Sequence, residues 1–332
     1  MKRTRGLIAL LAVVCLIAGL LAGCGSKKFD FPKKPINMII PFGAGGATDS
    51  VGRAVADAAP KHLGQPMVIV NRAGASGTVA MEEALKSTDG YTMALTSAAI
   101  LTVQPQIKTL KYSASDFKII STVVYNPLFL FVSGDSPYNT VQELADDLKK
   151  NNKVLKIGHP GVGSTNDMCA SAFFNALGAN ITKIPFKSNS ETIAAILGNH
   201  VDAGAFHPIE AKEFVAAGKL KILGVFTPER INMYPEVPTI AEGLAKAGYD
   251  FKYKTMDFSS WYYLVVPKKT PDDVTNYLVE KMSATINEKE FQEKAKMMNM
   301  VIKPMKPEEA EKSLKTIETG YTSLLAELGV KK

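Results

Sequence analysis

The chain has 332 residues, of which 46% are hydrophobic, and its formal net charge is +7. This length and composition exclude a disordered chain and are typical of a globular protein of two domains. The modest charge gives no indication of nucleic-acid binding.

The first residues predict a secretion signal. A basic segment at residues 1–5 precedes an apolar stretch at residues 7–21, which is too short for a typical membrane-spanning helix. The stretch ends in Leu-Ala-Gly-Cys, which resembles the lipobox of bacterial lipoproteins and implies cleavage before Cys24 and a lipid on its thiol. An uncleaved N-terminal anchor is the alternative. Both interpretations place the folded part outside the cytoplasm.

Loss of residues 1–23 changes the charge and the cysteine content. It removes Lys2, Arg3 and Arg5 and no acid, so the net charge falls from +7 to +4. It also removes Cys15, and with a lipid on Cys24 only Cys169 remains, so no intrachain disulfide is possible. Cys169 lies in an apolar helical pattern and is expected to be a small buried residue. The short polar segment at residues 24–34 is expected to be a lipidated tether.

A glycine-rich loop at residues 41–49 lies between two predicted elements. The apolar run at residues 36–40 predicts a buried first strand, and residues 50–59 predict a helix with Thr48 and Asp49 as its caps. Free backbone amides and the positive end of the helix dipole make such a loop an anion site.

The same order of strand, small-residue loop and helix recurs twice. A strand at residues 66–70 precedes a loop at residues 71–78 and a helix at residues 79–85. A strand at residues 91–95 then precedes a loop at residues 96–99. This order is typical of a parallel α/β sheet whose binding loops gather at the carboxyl ends of its strands.

The second half of the chain predicts its own α/β series. A strand at residues 127–132 precedes a helix at residues 140–150, in which Thr140 and Glu143 have capping-box spacing. The strand, glycine-rich loop and helix of the opening are then repeated at residues 154–157, 158–167 and 168–177. Further strands are predicted at residues 181–186, 201–206, 220–226 and 261–267, with helices at residues 190–197 and 209–217 and a mostly helical end at residues 271–328. Two lobes that face each other across a cleft are therefore predicted.

Three kinds of ligand are compatible with a glycine-rich loop before a helix. A phosphate loop requires a lysine where Ser164 lies, and a dinucleotide fingerprint requires a glycine where Thr48 lies. A carboxylate held by backbone amides and by the hydroxyls of Thr48, Ser164 and Thr165 requires neither. Glycines that only permit tight turns are the structural alternative, which two loops in matching places disfavour.

The sequence offers little basis for catalysis or metal binding. None of the four histidines stands at metal-ligand spacing from another ligating residue, and no Gly-x-Ser-x-Gly motif is present. His159 lies within the second loop and either contacts a ligand or bonds to the backbone. Asp167 is expected to cap a helix, whereas Asp49 either caps a helix or accepts a hydrogen bond from a ligand.

Short motifs recur in a specific order through most of the chain. In the first half they are Pro-Phe-x-x-Gly-Gly-x-Thr-Asp at residues 41–49, Val-Asn-Arg-x-Gly-Ala-x-Gly at residues 70–77 and Asp-Gly-Tyr-Thr at residues 89–92. In the second half they are Gly-Val-Gly-Ser-Thr at residues 161–165, Pro-Phe-Lys at 185–187, Gly-Lys-Leu at 218–220, Pro-Glu-Val-Pro-Thr at 235–239 with Glu242, and Trp-Tyr at 261–262. In their order and spacing they resemble the substrate-binding receptors of tripartite tricarboxylate transporters, the Bug receptors.

The resemblance implies a two-lobed type II periplasmic-binding-protein fold. Each lobe is expected to be a mostly parallel sheet flanked by helices, and crossover strands join the lobes, which close on the ligand by a hinge motion. We expect lobe 1 to comprise residues 35–128 and 262–332, and lobe 2 to comprise residues 129–261. A lipoprotein signal peptide at residues 1–23 precedes the tether.

The same resemblance implies that the amides and hydroxyls of both glycine loops hold a ligand carboxylate. The expected ligand-binding residues are Phe42, Gly43, Gly46, Ala47, Thr48, Asp49, Ala75, Ser76, Ser97, Gly163, Ser164, Thr165, Asp202 and Phe206. Ala44, Ser76 and residues 203–207 depart from the usual family pattern, and the last segment is expected to face the distal part of the ligand. These departures leave the identity of the ligand open. An amine on the ligand could pair with either Asp49 or Asp202.

The sequence therefore predicts a lipid-anchored extracytoplasmic solute receptor. We expect a monomer that captures a di- or tricarboxylate, an aromatic acid or an amino acid. It would deliver this ligand to the large and small membrane subunits of a tripartite tricarboxylate-type transporter. No catalytic residue, cofactor, metal or nucleic-acid partner is expected. An extracytoplasmic enzyme or a ligand sensor acting on a small carboxylate is the alternative.

Overall fold

The computed structural model describes residues 30–298 and 300–330. The predicted signal peptide, Cys24 and most of the predicted tether lie outside these residues. Residues 30–33 belong to a separate N-terminal unit, and the elements below belong to the unit that begins at Lys34. Within the described ranges, no helix is long and apolar enough to cross a membrane.

The strands and helices alternate along much of the chain. The strands are β1 (Ile36–Ile40), β2 (Met67–Asn71), β3 (Thr92–Ser97), β4 (Phe117–Asn126), β5 (Phe129–Ser133), β6 (Leu155–His159), β7 (Ile181–Pro185), β8 (Ala203–Phe206), β9 (Leu220–Val225), β10 (Ser260–Pro267) and β11 (Val301–Ile302). The helices are α1 (Ala47–Ala58), α2 (Pro60–Leu63), α3 (Thr78–Ala84), α4 (Ala98–Thr102), α5 (Gln104–Ile107), α6 (Val141–Asn151), α7 (Thr165–Ala176), α8 (Asn189–Leu197), α9 (Pro208–Ala216), α10 (Ile240–Lys246), α11 (Asp272–Asn287), α12 (Lys289–Met297) and α13 (Pro307–Glu327).

The first sheet has six strands in the order β11, β4, β10, β3, β1, β2. Strand β1 pairs in parallel with β2 and β3, so the parallel arrangement predicted for this part of the chain is confirmed. Strand β10 pairs antiparallel with β3 and β4. All eight residues of β10 are buried, which explains why this segment reads as a continuous apolar run.

The second sheet has five strands in the order β7, β6, β8, β5, β9. Strand β6 is parallel to β7 and β8, whereas β5 is antiparallel to β8 and β9. The first sheet draws on residues 36–126 and 260–302, and the second on residues 129–225. The predicted α/β class, with two sheets flanked by helices, is confirmed. The predicted residue bounds of the two lobes stay a prediction.

Helices α1 and α7 begin three residues earlier than predicted. Their N-caps are Gly46 and Ser164, which have extended backbone conformations. Thr48 and Asp49 therefore lie in the first turn of α1, and the prediction that they cap the helix was wrong. Thr140, in contrast, caps α6 as predicted, because its Oγ1 accepts a hydrogen bond of 3.1 Å from the Glu143 N–H.

The C-terminal helix α13 packs against the apolar clusters of both parts of the fold. Its residues Ala310 and Leu314 belong to a cluster with β3 and β10, and Tyr321 and Leu324 belong to a cluster with β5 and α7. The second cluster also contains Cys169, which is fully buried as predicted, and burial raises the pKa of its thiol. Apolar packing, with no disulfide among the described residues, stabilises this arrangement.

Candidate functional site

A small cavity of about 30 Å³ lies where loops from both sheets meet. By volume it has room for about two water molecules. Most of its walls are hydroxyl, amide and small side chains, and Glu210 is the single residue with a charged side chain among them. The lining residues are Phe42, Gly46, Ala47, Thr48, Ser97, Pro160, Ser164, Thr165, Asn166, Ser188, Asn189, His207, Glu210, Ser260 and Tyr262.

The first glycine loop is shaped from behind by Asp49. The Asp49 Oδ2 accepts a hydrogen bond of 3.0 Å from the N–H of Gly45, which has a positive φ of 85°. Arg53 donates to the same carboxylate at 2.8 Å, and Asn71 donates to its Oδ1 at 3.0 Å. Burial alone would raise the pKa of Asp49, but these hydrogen bonds outweigh burial and hold the pKa below its usual value. Asp49 thus fixes the loop and does not line the cavity.

The second glycine loop repeats this construction with Asp167. The Asp167 Oδ2 accepts a hydrogen bond of 2.8 Å from the N–H of Gly163, whose φ is 71°. Lys183 donates to the Asp167 Oδ1 at 2.9 Å and supplies the compensating charge. In both loops an aspartate four residues after a left-handed glycine closes the turn, which leaves the next helix free to point its N-terminus at the cavity.

The N-termini of α1 and α7 both contribute residues to the cavity wall. Ala47 and Thr48 begin α1, and Thr165 and Asn166 begin α7. The first amides of a helix have no acceptor within the helix, and the helix dipole adds a partial positive charge there. Each helix has twelve residues, so each carries a full N-terminal anion-binding end.

A third helix N-terminus, that of α9, brings Glu210 into the cavity. The Glu210 Oε1 accepts a hydrogen bond of 2.7 Å from the Ala47 N–H, on the other side of the cavity. Its Oε2 accepts hydrogen bonds from the His207 N–H at 3.2 Å and from the Asn189 Nδ2 at 2.9 Å. Burial raises the pKa of Glu210 to about 7, despite these three hydrogen bonds.

His207 and Tyr262 form a neutral pair beside Glu210. The His207 Nδ1 lies 3.0 Å from the carbonyl oxygen of Pro127, to which it donates. The Nε2 is then the acceptor for the Tyr262 hydroxyl, at 3.2 Å. Burial lowers the pKa of His207 to about 4, so the ring is neutral at pH 7. Burial and the nearby Glu210 raise the pKa of Tyr262.

The structure brings half of the predicted ligand-binding residues together in the cavity wall. These are Phe42, Gly46, Ala47, Thr48, Ser97, Ser164 and Thr165. Ala75 and Ser76 line an adjacent pocket of about 300 Å³, to which Phe42 and Pro160 also contribute. Gly43 and Gly163 lie in the glycine loops but line neither pocket.

Two further predicted residues lie away from the cavity. The Asp202 carboxylate is exposed and accepts a hydrogen bond of 2.7 Å from the Lys156 N–H. Phe206 is fully buried and stacks on Phe131 with ring centroids 4.1 Å apart. With Asp49 behind its loop, neither aspartate considered as an amine partner lines the cavity.

Several cavity residues were not predicted from the sequence. They are Pro160, Asn166, Ser188, Asn189, Glu210, Ser260 and Tyr262, whereas His207 ends the segment at residues 203–207 that was expected to face the ligand. A local signal was present for Glu210, because Pro208 at the first helical position and Glu210 at the third are typical of a helix start. Nothing local, however, indicates that this helix start faces the loop at residues 41–49.

The described residues contain no group of three or more His, Cys, Asp or Glu side chains that could hold a metal ion. The lining of the cavity is suited instead to a small organic anion, through helix amides and the hydroxyls of Thr48, Ser97 and Thr165.

Comparison with known proteins places this chain among binding proteins. The family described as "Tripartite tricarboxylate transporter family receptor" matches residues 51–318. A UPF0065 protein of Bordetella pertussis is 31% identical over 272 residues, which cover 81% of this chain and 82% of that protein. The structure of the periplasmic binding protein BugD is similar with a TM-score of 0.83 and 29% identity, and covers 91% of this chain and 100% of BugD.

A more distant neighbour supports the fold. The structure of a protein of R. palustris with adipate has a TM-score of 0.82 and 24% identity, and the match covers 91% of this chain and 99% of that protein. At this identity the likeness shows a shared architecture. The periplasmic-binding-protein fold predicted from the sequence is thereby confirmed.

Proposed function

Because the chain belongs to the tripartite tricarboxylate transporter receptor family, we propose that it captures a small carboxylate in the cavity between the two glycine loops. The observation that carries this proposal is the convergence of the α1 and α7 N-termini on one cavity. Two helix ends that face the same volume attract an anion more strongly than one. The captured ligand is then handed to the membrane subunits of a tripartite transporter, the partner that the family implies.

The ligand carboxylate is assigned to the first-turn amides and to hydroxyls. Thr48, Ser164 and Thr165 are each at most 5% exposed and line the cavity from the two sides, and Ser97 and Ser260 complete the wall. Buried hydroxyls and amides that hold a charged group form strong hydrogen bonds. The adipate in the similar protein of R. palustris is a precedent for a carboxylate in this fold.

Ligand binding requires the two sides of the cavity to separate first. Hydrogen bonds that join the sides include the one from Ala47 to Glu210 and one of 2.7 Å from the Gln104 Nε2 to the Val162 carbonyl oxygen. A volume of about 30 Å³ is too small for most organic acids. We assign the separation to a hinge motion between lobes formed by residues 35–128 with 262–332 and by residues 129–261.

The protein acts outside the cytoplasm, as the periplasmic binding proteins of this family do. We further propose that a lipid on Cys24 holds it at the membrane and that it acts as a monomer. The Leu-Ala-Gly-Cys sequence at residues 21–24 supports the lipid anchor. Replacing Cys24 by Ser should release the protein from the membrane fraction, and retention there would contradict the anchor.

No catalytic role is assigned to the cavity. Its histidine, His207, is neutral and both of its ring nitrogens are engaged, by Pro127 and by Tyr262. A general base needs a free nitrogen within reach of a substrate proton. Capture and release, without chemical change, is the function that this geometry supports.

A thermal-shift screen of small carboxylates tests the proposed function. A ligand that binds only the folded protein raises the melting temperature in proportion to the logarithm of its concentration. We expect at least one mono-, di- or tricarboxylate, aromatic acid or amino acid to do so, and calorimetry should then give a one-to-one complex. The proposal is wrong if no carboxylate shifts the melting temperature while the protein is folded.

A further inference from the structure

Glu210 is the one charged side chain in the cavity wall, and no Lys or Arg of the described residues pairs with it. Its three hydrogen-bond donors are the Ala47 N–H, the His207 N–H and the amide of Asn189, all of which are neutral. The titratable groups beside it, His207 and Tyr262, are neutral at pH 7. Among the described residues, none supplies Glu210 with a compensating cation. A buried carboxylate without such a partner is costly to keep ionised.

The local role of Glu210 as a helix cap does not account for this position. A capping box needs only the bond from the His207 N–H to Oε2. The other oxygen, Oε1, bonds to Ala47, which is 163 residues away in the chain. A glutamine would satisfy the capping box equally well, so the cap does not explain why a charge is present in the cavity.

We propose that Glu210 determines the specificity of the cavity by pairing with a protonated amine of the ligand, so that the preferred ligand carries an ammonium group together with its carboxylate. This inference rests on the proposed function, because the carboxylate of the ligand is held by the N-termini of α1 and α7. An ammonium group supplies both N–H donors and the positive charge that Glu210 lacks. An amino acid or a similar zwitterionic acid has this chemistry.

A plain dicarboxylate is disfavoured by the same arrangement. It would place a second carboxylate in a buried cavity beside Glu210, where a like charge disfavours the ionised form of either group. Glu210 therefore excludes the wrong ligand as well as attracting the right one.

Pairs of compounds that differ by one amino group test this inference. We would measure, by calorimetry on the mature protein at pH 7.5, the binding of L-aspartate and succinate, of L-glutamate and glutarate, and of L-phenylalanine and 3-phenylpropionate. We expect the amine-bearing member of at least one pair to bind at least tenfold more tightly than its partner. In Glu210→Gln this preference should fall below threefold, because the amine ligand loses its counter-charge and the plain acid loses a repulsive neighbour.

The control is Glu213→Gln, which removes an exposed carboxylate from the same helix and should keep the wild-type preference. The inference is wrong if the plain acids bind wild type as tightly as the amines, or if Glu210→Gln keeps the full preference. If Glu210→Gln does not fold, the ratio of the wild-type affinities for the amine and for the plain acid tests the inference by itself. If the only ligands found in the carboxylate screen lack an amine, the inference is wrong while the proposed function stands. If that screen finds no ligand at all, the proposed function is wrong.

Discussion

The Glu210 Oε1 accepts a hydrogen bond of 2.7 Å from the backbone N–H of Ala47, so the first amide of α1 already holds a carboxylate from the protein itself. This bond crosses the cavity and connects a helix start that follows β8 with a helix start that follows β1. The proposed anion site thus contains a carboxylate of the protein itself. The first prediction concerns the titration of the Glu210 carboxylate and its replacement by an uncharged amide.

Glu210 should make the protein less stable as the pH rises. Its pKa is raised by burial from 4.5 to about 7 in the folded state, so between these values the folded protein binds more protons than the unfolded one. The free energy of unfolding therefore falls as pH rises through this window, by on the order of 3 kcal/mol at most. Urea unfolding at pH 5 and pH 8 should show that the free energy of unfolding falls more between these values in wild type than in Glu210→Gln. Glu213→Gln should behave as wild type, and equal losses in all three proteins would contradict this prediction.

Thr48→Ala should weaken ligand binding with little effect on the fold. The Thr48 hydroxyl is buried in the cavity wall at the start of α1, where we place the ligand carboxylate. Loss of one hydrogen bond to a charged group costs about 1–3 kcal/mol, which is a five- to 150-fold loss of affinity. Calorimetry with the ligand found in the screen measures it. Thr316→Ala, on an exposed part of α13, is the control and should bind as wild type; equal affinity of both variants would remove Thr48 from the site.

Asp49→Ala should destabilise the fold through the loop that it holds. The change leaves the Gly45 N–H, the Asn71 amide and the Arg53 guanidinium without their acceptor. These hydrogen bonds to a charged group are partly buried and the Arg53 side chain is exposed, so their combined loss should cost about 2 kcal/mol. Asp57→Ala is the comparison, because Asp57 pairs with Lys294 at the surface, where such pairs contribute at most about 1 kcal/mol. Chemical unfolding measures how much free energy of unfolding each variant loses. Equal losses would show that Asp49 is not a structural residue of the loop.

Much of the fold could be predicted because its signals are local. The run from Ile36 to Ile40, the glycine loops and the helix behind each of them follow from composition and spacing, and the predicted elements agree with β1, β2, β3 and β6 within a few residues. Strand β4 was not predicted, although its β-branched residues fit a strand. Its place between β11 and β10 depends on pairing with β10, more than 130 residues further on, and such a pairing leaves no local pattern.

Only about half of the cavity residues could be predicted, because no local sequence signal places the others in the cavity. The loops that carry Thr48 and Ser164 can be recognised in the sequence by their glycines. The other cavity residues, His207, Glu210 and Tyr262, belong to elements whose sequences resemble ordinary helix starts and core strands. Helix α9 faces the first glycine loop only once both sheets are assembled. Asp49 and Asp202 could be proposed as amine partners from charge alone, but their orientation depends on the hydrogen bonds of the folded loops.

Gly163→Ala should be more destabilising than Gly178→Ala. Both glycines have positive φ, 71° and 59°, so alanine is strained at either site by about 1 kcal/mol. At Gly163 a Cβ would also lie 2.5 Å from the Ile107 Cδ1 and 2.7 Å from the Gln104 Nε2, whereas nothing lies within 4 Å at Gly178. Overpacking of this kind adds about 1–3 kcal/mol. Thermal unfolding of the two variants measures the difference, and equal melting temperatures would contradict the close packing of the second glycine loop.

Amine binding should release protons at pH 7. With a pKa of about 7, Glu210 is about half protonated in the free protein, and a paired ammonium group favours its ionised form. The titratable groups that face it, His207 and Tyr262, ionise outside this range, since burial lowers the pKa of the first to about 4 and raises that of the second. Calorimetry with L-glutamate or another amine ligand, in two buffers of different ionisation enthalpy, should therefore show the release of up to about half a proton by wild type and close to none by Glu210→Gln. Proton uptake by wild type would mean that the ligand binds beside a protonated Glu210, and its ammonium group would then have to be held elsewhere.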